Sequence, residues 1–463
     1  MMALLWAFFA VALGCALVLG FSRLGNLRPP WAGAALVFGV GAAGGMGLTS
    51  CIYFVCRLIV PGVPWLGLTI EIILFALAIW NLRRTRRDPG SEPEPPRRIP
   101  FFPVLACVSL FVLAMGTAAI AASWDNNPAG DWDAWAIWNL RARFLAAPDG
   151  LIQRAWSPQL HGSHPEYPLL TSGFIARCWA YGGGATSQSV PMATAYLFYL
   201  AICAVGTAGV ARVRSVGLGL LYGLILASTP VFIHEATTQY ADVPLACYML
   251  GAVVLATSDQ PIVAGLFAGF GAWTKDEGLL FLVVFFVAMA LLRRTGLLRG
   301  AIGAAAPVAI VLVFKLVLAQ GTASLPARAA AGLGPRLADF HRYTFAFGSL
   351  AGAFAAMGAN LYHPIYPMIA AAALLRFERT QRRLTLFAGL LAAAMLAGYF
   401  AVYIVAPDDI GWLIGTTVNR LIVQVWPLLL LTLFMALRTP ESLMPEFVPV
   451  AAHAARPARK KRK

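Results

Sequence analysis

The sequence predicts an all-α polytopic membrane protein of about 13 transmembrane helices, with a long extracytoplasmic loop that carries interfacial helices. Three observations predict it. The 463 residues are 60% hydrophobic and only 12% charged, about half the charged share of an ordinary soluble domain. The apolar residues come in continuous runs without alternation, which favours helices over a β-barrel, whose strands alternate between lipid and lumen. The remaining charges segregate from loop to loop, as they do when successive loops lie on opposite sides of a membrane.

A helix needs roughly 20 mainly apolar residues to cross the hydrocarbon. Spans are predicted near 3–21, 31–57, 64–82, 101–122, 188–211, 216–231, 241–257, 262–274, 277–292, 300–319, 346–375, 384–404 and 419–437. The first stretch lacks a basic n-region and a small-residue cleavage site, and Arg23 and Arg28 follow it. It is expected to be an uncleaved span with its N-terminus outside. Residues 1–82 therefore form an N-terminal three-helix membrane extension. Residues 83–100, RRTRRDPGSEPEPPRRIP, have nothing to bury and read as a basic, Pro-rich cytoplasmic linker. Residues 101–437 form the transmembrane core, with the outer loop at 123–187, and residues 438–463 form a basic cytoplasmic tail. The short spans 262–274 and 277–292, and the interruption from Gly358 to Pro364, suggest helices broken where they line a cavity.

Sidedness follows from the charges. Arg83, Arg84, Arg86 and Arg87, then Arg293 and Arg294, Arg382 and Arg383, and the Arg459 to Lys463 tail mark the cytoplasmic side. The opposite loops collect Asp125, Asp131, Asp133, His164, Glu166, His234, Glu235, Asp242, Asp276, Glu277, Asp408 and Asp409. A net charge of +15 would suit nucleic acid. The basic residues instead sit where they orient the protein and touch anionic membrane lipids, so no nucleic-acid partner is expected. The seven cysteines lie almost all inside spans, Cys178 excepted, and contain no CxxC, so neither a disulfide framework nor a zinc knuckle is indicated.

Asp131 and Asp133, in GDWDAW, are the densest candidate site. Two carboxylates at a helix start can divide base and orienting roles, or one can simply cap the helix. Trp132, Trp135 and Trp138 recur every three residues, a stripe suited to a helix lying at the membrane interface. Asp242, in QYADVPL, falls at the lip of the hydrocarbon, where a charge needs a partner or a wet cavity. Lys275, Asp276 and Glu277 form a tight turn that is either an ion-pair knot or a cation site. Arg420, at the mouth of the last span, can snorkel or receive a phosphate. His164 and Glu166 are presented between Pro165 and Pro168; with His161 they make a weak metal signal, and no metal site is assigned. His363 reads as a satisfied core histidine. Glu71, inside the third span, has no partner visible in sequence and is either a polar lock or a proton relay.

Together these blocks resemble the GT-C superfamily of membrane glycosyltransferases, in particular the group of protein O-mannosyltransferases and aminoarabinose transferases. The resemblance rests on the acidic first outer loop with Asp131 and Asp133, on Tyr240 to Leu245 (YADVPL), and on Gly265 to Lys275 (GLFAGFGAWTK). It covers residues 101–300 well and the rest loosely. Three spans precede the helix that carries the acidic loop, where the family usually places that loop after its first helix, and the turn reads KDEG where relatives often have Lys-Gly-Pro. The resemblance implies a GT-C-like catalytic core in the cell membrane, with its active site outside. That core would transfer a sugar, with inversion, from a polyprenyl-phosphate donor to a glycan, lipid or protein acceptor. Asp133, or else Asp131, would be the general base. The leaving phosphate would meet Lys275 first, then Arg420, with Arg328 and Arg336 as mobile cations. Asp242 would orient Lys275 or bind a sugar hydroxyl, and Tyr240, Glu277, His164 and Glu166 would complete the substrate site. A divalent cation is compatible with this chemistry but is not required by it.

Two other classes fit parts of the sequence. A transporter or flippase of a lipid-linked or anionic substrate would share the broken helices, but should show mid-bilayer polar groups and inverted repeats. A non-catalytic envelope subunit would keep the fold and lose the acidic and cationic positions, which are filled here.

Overall fold

A computed structural model describes residues 2–22, 24–26, 29–63, 65–85, 102–147, 151–293, 295–320, 325–330, 332–358 and 362–443. Arg23, Arg28 and Arg294, most of the 83–100 linker and most of the C-terminal tail lie outside them. In chain order the helices are α1 (Met2–Phe21), α2 (Pro30–Ile59), α3 (Leu66–Thr85), α4 (Phe102–Asn126), α5 (Asn139–Ala146), α6 (Leu170–Tyr181), α7 (Ser189–Val213), α8 (Val216–Ser228), α9 (Pro230–Thr237), α10 (Asp242–Thr257), α11 (Pro261–Thr274), α12 (Asp276–Leu292), α13 (Leu297–Val313), α14 (Leu325–Ala330), α15 (Leu333–Ala338), α16 (Phe340–Ala355), α17 (Ile365–Leu375), α18 (Arg382–Val405) and α19 (Ile410–Ala436). Helix accounts for 84% of the structure, and no strand occurs among the described residues.

Among the described residues, eight helices are long and apolar enough to cross a membrane, or nine if α8 and α9, bent by 61°, count as one broken span. The protein is an all-α polytopic membrane protein. Helices α10 and α11 are shorter, at 16 and 14 residues, or about 24 and 21 Å, against a hydrocarbon core of roughly 30 Å. The break after α8 falls at Thr229-Pro230: proline has no N–H to continue α8 but suits the first position of α9. The stretch 346–375, read as one span, is divided between α16 and α17. His363 lies between them, its Nε2 3.2 Å from Phe354 O and its Nδ1 accepting from Ile365 N at 3.1 Å, as a satisfied histidine should.

Helices α2, α7, α10 and α19 form the middle of the bundle, with α1 and α3 against α2, α11 to α13 beyond α10, and α18 against α19. Every residue from Asp242 to Ala256 is buried. The outer helices turn large apolar side chains outward, among them Leu110 and Phe111 of α4, as lipid-facing helices do.

Residues 123–187 are more structured than an outer loop. The ten residues Leu170–Trp179 of α6 are all buried, Cys178 included, with α6 packed on α1, α2 and α7. Arg177 of α6 supplies the partner of Glu71 in α3: its Nε donates to Glu71 Oε1 at 2.7 Å and its Nη2 to Oε2, while Nη1 reaches Trp6 O at 2.9 Å. Glu71 is thus a polar lock that fastens α1 and α3 to the rest of the bundle.

Candidate active site

The site forms where four segments end. The chain leaves α11 at Lys275, extended at φ −153° and ψ 162°, and turns at once into α12. A Cβ at Gly278 would lie 1.9 Å from Gly271 O, so only glycine allows α12 to start this close to the end of α11. Asp242 opens α10. Arg420 and Gln424, four residues apart, lie on one face of α19. Asp133 arrives from the helical turn ahead of α5, led in by Gly130 at φ +71°, where an added Cβ would meet Thr238 O at 2.6 Å. Asp131 N–H then donates to that same Thr238 carbonyl at 3.2 Å, which ties the acidic turn to the approach of α10.

Asp242 is the pivot. It has no exposed surface. Its Oδ1 accepts from Lys275 Nζ at 2.9 Å and from Gln424 Nε2 at 2.6 Å; its Oδ2 accepts from Arg420 Nε at 3.1 Å. Tyr399 of α18 donates to Gln424 Oε1 at 2.6 Å, which fixes the orientation of the amide. Lys275 also pairs with Glu277 at 3.0 Å, and Arg420 Nη2 with Asp133 Oδ2 at 2.7 Å. The Arg420 guanidinium lies 4.4 Å from the centre of the Tyr240 ring, and the Tyr240 hydroxyl accepts from Asp133 N–H at 3.3 Å. One continuous network therefore runs Asp133, Arg420, Asp242, Lys275, Glu277. Side-chain exposure rises from 0% at Asp242 and 4% at Lys275 to 13% at Arg420 and 15% at Asp133. The middle of the network is sealed and both of its ends are open, Glu277 at 23% more so than Asp133.

A second cluster borders it. Lys315, in a π-helical turn at the end of α13, pairs with Asp276 at 2.6 Å. His164 Nδ1 lies 3.1 Å from Glu166 Oε1, and the His164 ring stacks on Tyr167 with centroids 4.5 Å apart. Arg141, fully buried, holds this segment by donating to Ala155 O, His164 O, Pro165 O and Tyr167 O. Tyr167 stays protonated well above its ordinary range because it is buried and because the Glu277, Asp276 and Glu166 charges face it. Burial alone would raise Glu166, but the His164 hydrogen bond and the Lys315 charge outweigh burial and hold it below the usual carboxylate range.

Of the residues the sequence nominates, the structure joins Asp133, Tyr240, Asp242, Lys275, Glu277 and Arg420 directly. Asp131 stands beside them, its Oδ1 taking Asn127 Nδ2 at 2.8 Å. The Asp133 carboxylate makes no capping bond to its helix; it points to Arg420. His164 and Glu166 form the neighbouring pair. Arg328 and Arg336 lie apart from the network: Arg328 reaches Asp408 at 3.4 Å, and Arg336 donates to Ala329 O. Sequence reasoning missed Gln424, Tyr399 and Lys315. Lys315 carried a signal, since a lysine within an apolar run near its outer end marks a polar contact. Among the described residues, no three His, Cys, Asp or Glu side chains converge as a metal ion would need. No protein-family model matches this chain, and no curated protein or solved structure matches it.

Proposed function

We propose that the protein is a GT-C-type membrane glycosyltransferase of the cell membrane. It transfers a sugar from a polyprenyl-phosphate donor to an extracytoplasmic glycan, lipid or protein acceptor. The observation that carries the reading is the carboxylate of Asp133, paired with Arg420 at one open end of a network whose two cations, Arg420 and Lys275, are held from behind by the buried Asp242. An acceptor hydroxyl attacks the anomeric carbon and passes its proton to Asp133 as the C–O bond to the lipid phosphate breaks, with the electron pair leaving on the phosphate oxygen. A single base suffices, because inversion needs no covalent intermediate. Arg420 is the better placed cation for the leaving phosphate: it is more open than Lys275, and taking the phosphate in exchange for Asp133 would release the carboxylate to act as base. Asp242 is a positioning residue that holds both cations from behind. The exposed Trp132 and Trp135, stacked edge to face at 5.8 Å, flank Asp133 and suit either a sugar face or the membrane interface.

The transporter reading draws on the 61° break between α8 and α9 and on the burial of Asp242 and Lys275 inside the bundle. Purified protein in vesicles made from a total envelope lipid extract separates the two. The transferase reading expects acceptor-dependent release of free polyprenyl phosphate, abolished by Asp133→Asn; movement of the intact donor across the vesicle membrane without release would favour transport.

A further inference from the structure

A basic groove lies at the far end of α18, away from the Asp133–Asp242 network. Tyr399 of α18 reaches that network through Gln424. Arg382 begins the helix 17 residues earlier, about 25 Å back along the axis. The groove is lined by Glu378, Arg379, Arg382, Thr385, Leu386 and Ala436. Its frame is stitched by backbone bonds between the segment before α18 and the chain after α19: Glu378 N–H to Ala436 O at 2.8 Å and Arg438 N–H to Arg376 O at 3.0 Å. Arg376 at its edge holds φ +60° and ψ 166°, a conformation nearly confined to glycine, which persists only where the surroundings dictate it.

The charges in the groove are unbalanced. Glu378, the one carboxylate on its lining among the described residues, is already paired with Arg214 from the end of α7. That leaves Arg379 and Arg382 on the lining, with Arg383 and Arg438 exposed nearby. Arg382 and Arg383 occupy the first turn of α18, which contains no acidic residue, although the helix dipole disfavours cations there. An anion over these arginines would compensate both the dipole and their mutual repulsion. Beside them, Phe377 and Leu386 are large, apolar and exposed. A soluble anion has no use for that flank; an acyl chain does.

We propose that this groove binds an anionic phospholipid, with the phosphodiester on Arg379 and Arg382 and an acyl chain along Leu386 and Phe377. The site is independent of the glycosyl-transfer chemistry, and it fixes the α17–α18 turn and the end of α19 against one leaflet.

Native mass spectrometry of the full-length protein in detergent tests this, with phosphatidylglycerol and phosphatidylcholine offered at equal concentration. Wild type should retain phosphatidylglycerol at least about tenfold over phosphatidylcholine, and Arg379→Gln with Arg382→Gln should lose about 25-fold, roughly fivefold per arginine. Phe377→Ala with Leu386→Ala, which keeps every charge, should also weaken retention, whereas Arg83→Gln with Arg84→Gln on α3 should not. Equal retention of both lipids, no loss in the groove-arginine variant, or an equal loss in the α3 variant would overturn the proposal. So would displacement of the lipid by an equal concentration of inorganic phosphate, which would make the groove a site for free anions.

Discussion

Asp242→Asn should destabilise the folded protein by about 2–3 kcal/mol. The carboxylate is fully buried and serves three donors, Lys275 at 2.9 Å, Gln424 at 2.6 Å and Arg420 at 3.1 Å. Removing one partner of a buried ion pair commonly costs about 3–5 kcal/mol, because the other charge is stranded away from water. Here each cation keeps a second carboxylate, Glu277 at 3.0 Å for Lys275 and Asp133 at 2.7 Å for Arg420. Asparagine also keeps an acceptor oxygen. What is lost is the charge on bonds worth about 1.5–3 kcal/mol each, so the effect falls below the upper range for a stranded ion. Equilibrium unfolding in mixed micelles, followed by circular dichroism as denaturing detergent is raised, reads this difference. A double-mutant cycle with Lys275→Met should show a coupling of about 1–2 kcal/mol, since removing both charges leaves less to strand. A single-variant effect below about 0.5 kcal/mol, the level of an ordinary surface change, would refute the reasoning: Asp242 would then carry no charge that its partners need.

Three further outcomes are expected. Glu71→Ala strands Arg177 between α3 and α6 and should cost about 3–5 kcal/mol in the same unfolding assay, whereas the paired replacement Glu71→Leu with Arg177→Met should recover most of that loss; equal losses in both would show that the ion pair is not what holds α3. Glu166 is depressed in the folded state, so its stabilisation is present above the unfolded value near 4.3 and is lost as pH falls through the lower folded value. Protection of the amides in residues 158–168, taken relative to their intrinsic exchange rate at each pH, should therefore fall on acidification in that window, and Glu166→Gln should remove the pH step while leaving protection elsewhere unchanged. Gln159→Cys, on the exposed surface of the segment before α6, should react with a membrane-impermeant maleimide in intact cells, whereas the native buried Cys178 should not; labelling of Gln159→Cys only after lysis would place the candidate site on the cytoplasmic side.

How much of this was legible in sequence depended on charge and on reach. Asp242 and Lys275 were legible because a charge at the edge of an apolar run needs a partner. Asp133 was legible as one of two carboxylates at a helix start and Arg420 as a charge at the mouth of a span, both on one predicted face. What the sequence could not state was the wiring, because Arg420 meets Asp242 across 178 residues and Arg177 meets Glu71 across 106. Gln424 escaped notice because a neutral amide adds no charge and a single one barely lowers the mean hydropathy of an apolar helix, although its four-residue spacing from Arg420 puts both on one face. Helix α6 escaped because its 12 residues are too short for a span, and the polar, proline-rich segment before it masked its burial. Arg328 and Arg336 were nominated on charge alone, and charge alone does not fix where a connecting segment folds.

The most direct test of the central claim is a mass-spectrometric comparison of envelope glycans from three strains: a deletion, its wild-type complement and its Asp133→Asn complement. The account predicts that deletion and Asp133→Asn lose the same sugar and that wild type restores it, the missing mass naming the transferred group. Full restoration by Asp133→Asn would contradict it, because an acceptor could then lose its proton without the carboxylate that pairs with Arg420.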